Sequence, residues 1–174
     1  MKIDILCTDT RWSESFLKKV SKQSFELALS SLRIEEKNFE ICLLACNNDE
    51  IQDLNMRFRG IDSPTNILSW PEFDFVGKNK GGLTADTKQT SIPGEDIFVF
   101  LGNIAIAYDL CSDECLNRHI KFWDHITHLL LHGCLHLLGY TDKKSIDAKV
   151  MEDLEIKLLD RIGIKNPYYE IQGG

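Results

Sequence analysis

With 174 residues, 43% of them hydrophobic and 27% charged, the chain has the size and balance of one folded domain, which excludes collagen-like, coiled-coil and long disordered organisations. The 20 Lys and Arg against 27 Asp and Glu leave a net charge of −7, which argues against a generally cationic nucleic-acid binder but not against a local basic groove. No apolar run reaches membrane-spanning length, and acids enter MKIDILCTDTRW before any apolar stretch of signal-peptide length. A cytoplasmic location without a membrane partner is therefore expected.

Residues Lys2 to Leu6 alternate polar and apolar like a strand, and Phe16, Leu17, Val20, Phe25, Leu29 and Leu32 then recur at helical spacing. Phe39 to Cys46 reads as a second strand. Asn47 and Glu50 form a capping-box pattern for a helix carrying Ile51, Leu54 and Phe58. Ile67 to Trp70, closed by Pro71, is the third expected strand. Glycine, proline and polar residues dominate 76–95, which is expected to be a surface insertion within one domain spanning 1–174. Ile97 to Ile106 resumes as a strand. Helix is expected from about Asp113 to Leu138 and from about Ser145 to Ile162, with Gly139 and Gly163 as stops. The expected fold is α+β: a small, mostly antiparallel or mixed sheet packed by helices, with a metal site on the central one.

The six cysteines lie largely in apolar stretches such as ICLLAC, and reduced, buried thiols are expected rather than disulfides or a cysteine metal site. The histidines are more informative. His125, His128, His132 and His136 fall within about 80° of one another on a helix. The other faces of that helix carry Trp123, Ile126, Leu130, Leu131, Leu135, Leu137 and Leu138, so the helix is expected in the core. Stacked imidazoles there need partners, and a metal or a cleft supplies them. His132 and His136, one turn and about 6 Å apart, can converge on one ion. His128 lies about 12 Å from His136 along the axis and suits an outer-sphere or substrate contact instead. A third ligand must come from beyond the helix, and Asp142, just after the Gly139 stop, is the first candidate. A turn or N-cap role is its alternative. Gly133 stands where a HExxH zinc protease has its general-base Glu, which disfavours peptide hydrolysis by that route.

The segment His128-Leu-Leu-Leu-His132-Gly-Cys-Leu-His136-Leu-Leu-Gly-Tyr140 resembles the H-G-x-L-H-L-x-G-Y-D-H signature of the YbeY family of bacterial metal-dependent endoribonucleases. Asn55 to Pro71 resembles that family's R-x-x-x-x-P-T-D-V-L-S-F-P block, Leu101 to Ile106 its L-G-D-I-x-I strand, and Gly163 to Tyr168 its closing G-x-x-D-P-Y. Three positions depart from the pattern. Asp142 replaces the usual third histidine ligand, and Asn66 and Asn103 stand where those blocks carry Asp.

The resemblance implies a single-strand-specific endoribonuclease of ribosomal RNA maturation and ribosome quality control, with single-stranded RNA and the ribosome or its proteins as partners. It implies one Zn²⁺, or another divalent ion, on His132, His136 and Asp142, activating a water. It also places Arg59 on the motif arginine, whose fork suits phosphoryl oxygens. Arg57, on sequence alone, is equally a helix C-terminal cation. Lys78, Lys80, Lys88, Lys143 and Lys144 add local positive charge, and Ser63 to Asn66, Ser69 and Trp70 are candidate groove residues. The general base stays unassigned. The alternatives are a non-catalytic, ribosome-associated metal-binding module and a metal-dependent hydrolase of another substrate class.

Overall fold

The computed structural model describes residues 1–32, 39–72 and 99–169. The expected insertion at 76–95, with Lys78, Lys80 and Lys88, lies outside the described residues. Strand β1 (Lys2–Cys7) leads into helix α1 (Glu14–Ser31), which opens two residues before Phe16 because the Ser13 side chain accepts from the Phe16 N–H. Strand β2 (Phe39–Cys46) runs into α2 (Asn48–Arg59), whose Asn47/Glu50 capping box is formed in both directions. Then come β3 (Ile67–Pro71), β4 (Val99–Ala107), α3 (Tyr108–Arg118), α4 (Phe122–Leu137) and α5 (Ser145–Asp160).

The four strands form one mixed sheet in the order β1-β2-β4-β3. β1 pairs parallel to β2 and β2 parallel to β4, and only β3 runs antiparallel to its neighbour β4. The sheet is thus mixed, one of the two expected arrangements, and mainly parallel. The physical reason is that α1 carries the chain back between β1 and β2, as parallel pairing requires. A correction concerns the helix expected from about Asp113 to Leu138. It is two helices: His119 takes a left-handed conformation (φ 51°), and the N–H of Ile120 reaches back to the Cys115 carbonyl at 3.1 Å, closing α3. α3 also starts earlier, at Tyr108, directly off β4 and without a side-chain cap, so no capping residue announced it.

Period-2 alternation in the strands divides the core. Ile41, Leu43, Leu101, Ile104 and Ile106 face α1, α4 and α5, where Leu17, Phe25, Leu29, Leu130, Leu135 and Leu158 are buried. Cys46, Leu68, Ala105 and Ala107 face α2 and meet Ile51. All six cysteines are free, and complete burial pushes the Cys134 thiol up to about 12.

At the join of β3 and β4, Leu101 is an extra residue in the pairing with β2, since Glu40 opposes Phe100 while Ile41 opposes Gly102. Gly102 takes φ +138°, and a Cβ there would stand 2.5 Å from the Trp70 carbonyl oxygen and 2.8 Å from Pro71 Cα. Both obstacles are backbone and cannot step aside. Gly102→Ala is expected to cost about 3 kcal/mol of stability by strain and by loosening β3, read as a lowered midpoint in urea unfolding.

Candidate metal centre

Along α4 the histidine stripe divides into three environments. His125, at the first turn, is buried, with Nε2 2.6 Å from Glu114 Oε2, and Asn66 donates to both oxygens of that carboxylate at 3.0 Å. His128 lies 2.9 Å from Glu155 Oε2 and 3.4 Å from the Tyr168 hydroxyl. His132 and His136 form the third environment, with their Nε2 atoms 2.9 Å apart.

That last distance has a specific chemical meaning. His132 Nδ1 is 2.9 Å from Glu155 Oε1 and His136 Nδ1 is 3.0 Å from the Tyr140 carbonyl oxygen. Both partners only accept, so each Nδ1 carries the proton and each Nε2 of a neutral ring presents a lone pair. Two lone pairs 2.9 Å apart repel unless a cation or proton lies between them. Burial, reinforced by the neighbouring His132, holds His136 below the usual histidine value, which disfavours the proton. Asp142 Oδ2 stands 3.9 Å from His136 Nε2, and ligand atoms of His132, His136 and Asp142 all lie within 4.8 Å of one another. This donor set fits a divalent ion.

Local structure explains the arrangement. α4 ends in a reversal in which Gly139 N–H bonds to the His136 carbonyl and Tyr140 N–H to the Leu135 carbonyl, which brings the Tyr140 carbonyl under the His136 ring. Beyond it, Lys143 N–H bonds to Thr141 Oγ1, and the residue before α5 is Lys144, so Asp142 is not that helix's N-cap. Its side chain is 56% exposed and faces His136. Gly133 points into the sheet, where a Cβ would stand 3.1 Å from Ile104 Cδ1 and 3.2 Å from Ile67 Cδ1. Glycine there lets α4 approach β3 and β4, and a glutamate at that position would enter the core.

The residue that sequence reading missed is Glu155. It is fully buried, its Oε1 faces His132, and its Oε2 faces His128 and accepts from the Tyr168 hydroxyl at 2.5 Å. Burial alone would raise its pKa, but hydrogen bonds from His128 and His132 overcome that and hold it down at about 2. Burial holds His128 below its usual value, so a neutral His128 donates to an ionised Glu155. Carboxylate–imidazole pairs of this kind orient a metal ligand and raise its basicity. A signal was available: Met151, Glu155, Leu158 and Leu159 form the buried stripe of α5, and one of them is an acid.

The remaining candidates lie outside this cluster. Arg57 and Arg59 are exposed on the last turn of α2 and make no ion pair among the described residues. Asn66 serves the Glu114–His125 pair and its Oδ1 accepts from Ile67 N–H, while Asn103 opposes Trp70 in the sheet. Lys143 and Lys144 are exposed beside Asp142.

Fold and donor set together define the class: an α+β protein whose core helix and following turn gather two imidazoles and a carboxylate suited to one divalent ion. The sequence pattern described as Endoribonuclease YbeY matches residues 3–163, and the chain belongs to that family. The match thus covers the first third of the chain as well as the motif blocks. Endoribonuclease YbeY of Ruegeria sp. strain TM1040 is 38% identical over 170 residues, covering 97% of this chain and 96% of that protein. Endoribonuclease YbeY of Bartonella henselae is 33% identical over 171 residues, covering 97% and 98%. The solution structure of TM1509 from Thermotoga maritima shares the fold, with a TM-score of 0.57 at 21% identity over 92% of this chain and 88% of that one.

Proposed function

We propose that this chain is a metal-dependent endoribonuclease that cuts single-stranded RNA in ribosomal RNA maturation and ribosome quality control, in the cytoplasm and in contact with the ribosome or its proteins. The observation that carries the reading is the facing pair of Nε2 lone pairs on His132 and His136, with Asp142 beside them, in a chain of the YbeY family. His132, His136 and Asp142 hold the ion, zinc by the imidazole content of the set. Bound there, it supplies Lewis-acid polarisation of the phosphodiester and activation of the attacking water.

The chain's own groups do the rest. Glu155 and the Tyr140 carbonyl keep both imidazoles in the Nδ1–H tautomer, so neither ligand must lose a proton on binding. Asp142 and ionised Glu155 together bring two negative charges to balance a divalent cation. Glu155 is sealed from solvent with both oxygens engaged, so it positions His132 and does not act as base. Arg59 presents its planar fork to the phosphoryl oxygens as charge builds on them.

The direct test is incubation of metal-loaded protein with single-stranded RNA, alongside a chelated sample. Cleavage that stops with chelator and returns with added zinc is the expected result. Intact RNA with metal fully bound would leave the non-catalytic, ribosome-associated reading in its place. Arg59→Ala is expected to lower the cleavage rate by about 100-fold or more while metal content and melting temperature stay unchanged. Arg59→Lys is expected to recover little of it, since a point charge does not reproduce the fork.

A further inference from the structure

The end of α2 is built unlike a solvated helix terminus. Met56, Phe58 and Ile61 are 53%, 49% and 49% exposed, and Arg57 and Arg59 are interleaved with them. Phe58 is held in place: its ring stacks on Trp70 of β3, with centroids 4.7 Å apart and planes inclined by 18°. Trp70 in turn packs against the cluster of Leu68, Ala105 and Ile51. One face of Phe58 is thus covered by an anchored indole while half of the residue stays open to solvent. Asn55, buried beneath this turn, donates from Nδ2 to the Ser63 carbonyl at 2.8 Å and fixes the loop that leads to β3.

Two features select the occupant. The chain as a whole carries a charge of −7, yet the two side chains flanking the stack are guanidiniums. A planar, π-faced, polyanionic ligand complements both the ring and the charge, and single-stranded nucleic acid has that chemistry. The second feature is adjacency to Arg59: Phe58 directly precedes the residue proposed to meet the phosphodiester, and Trp70, on the α2 face of the edge strand β3, fixes the ring there. RNA held by Arg59 passes beside the ring.

We infer that Phe58, stacked on Trp70, is a base-stacking subsite for single-stranded RNA, with Arg57 and Arg59 contacting the flanking phosphates. This rests on the endoribonuclease reading and extends it: a base inside a duplex has no open face to offer Phe58, so the subsite contributes selectivity for unpaired RNA. Stacking on a ring is tolerant of base identity, so the contribution is independent of sequence.

The test uses the full chain and two labelled oligomers, a short single-stranded RNA and one of the same length with abasic sites, read by fluorescence anisotropy with a gel to verify that each stays intact. Phe58→Leu keeps apolar bulk and removes the ring. It is expected to weaken RNA binding about tenfold, Phe58→Tyr to leave it unchanged, and neither to alter binding of the abasic oligomer. Melting temperature and zinc content of both variants are expected to match the parent. Binding of RNA by Phe58→Leu at parent strength, in a protein that cleaves RNA, overturns the subsite and leaves the endoribonuclease intact. An equal loss on both oligomers also overturns it, because the ring would then act on backbone geometry and not on bases. A change in sedimentation on Phe58→Leu with RNA affinity unaltered would assign the patch to contact between copies of the chain. A parent that neither binds nor cuts RNA removes the endoribonuclease reading and the subsite together.

Discussion

His136→Ala is expected to lower metal affinity by well over 100-fold, so that protein purified without a chelator or an affinity tag for metals loses its equivalent of divalent metal. Outer-sphere partners of a ligand are worth about 10–100-fold each, and direct loss of a ligand from a three-residue set exceeds that. Fold is expected to survive, because the substitution leaves one backbone acceptor, the Tyr140 carbonyl, without its donor, a cost of about 1 kcal/mol. Metal analysis and circular dichroism on the same sample separate the two effects. Asp142 is the graded partner in this experiment. Its half-exposed side chain supports nothing else among the described residues, so Asp142→Ala is expected to weaken metal binding with no change in melting temperature of the chelated protein. Asp142→His restores a nitrogen donor and removes one negative charge from the site, and the rising limb of the pH–rate profile is expected to move to lower pH. Parent-like metal affinity in Asp142→Ala would show that the third ligand is another residue.

Glu155→Ala is expected to be the most destabilising single change in the centre, at about 3–5 kcal/mol. It strips the buried Nε2–H of His128, the Nδ1–H of His132 and the Tyr168 hydroxyl of their common acceptor. Because that loss mixes folding with metal binding, Glu155→Gln is the informative companion. Its carbonyl can still accept from His132, but its amide group meets donors at His128 and Tyr168. Metal affinity is expected to fall about 10–100-fold, with a melting temperature between those of the parent and Glu155→Ala. Chelator competition and thermal melts with and without zinc give both quantities. Equal zinc affinity in Glu155→Gln and the parent would mean that the carboxylate serves packing alone.

Much of this protein is determined locally and is therefore legible in the chain. The Asn47/Glu50 capping box, the alternation along β1, and the apolar faces around the histidine stripe depend on spacings within one element, and the structure bears them out. The convergence of His132 and His136 follows from helical geometry alone, since four residues return a side chain to nearly the same face. The structure adds that the two rings face each other through Nε2.

Tertiary structure decided whatever depends on a partner distant in sequence. Periodicity places Glu155 on the buried stripe of α5, but only the packing of α5 against α4 brings it to His128 and His132, 27 and 23 residues away. The same holds for His125, which meets Glu114 across the break at His119 and so leaves the metal centre, and for Tyr168, which returns from beyond α5 to close the cluster. Strand order is decided in the same way. Nothing local places β4 between β2 and β3, because the alternation that marks a strand specifies its faces and not its neighbours. The facing imidazole pair is a property of one helix, whereas the carboxylate that fixes the tautomer of His132 belongs to the fold.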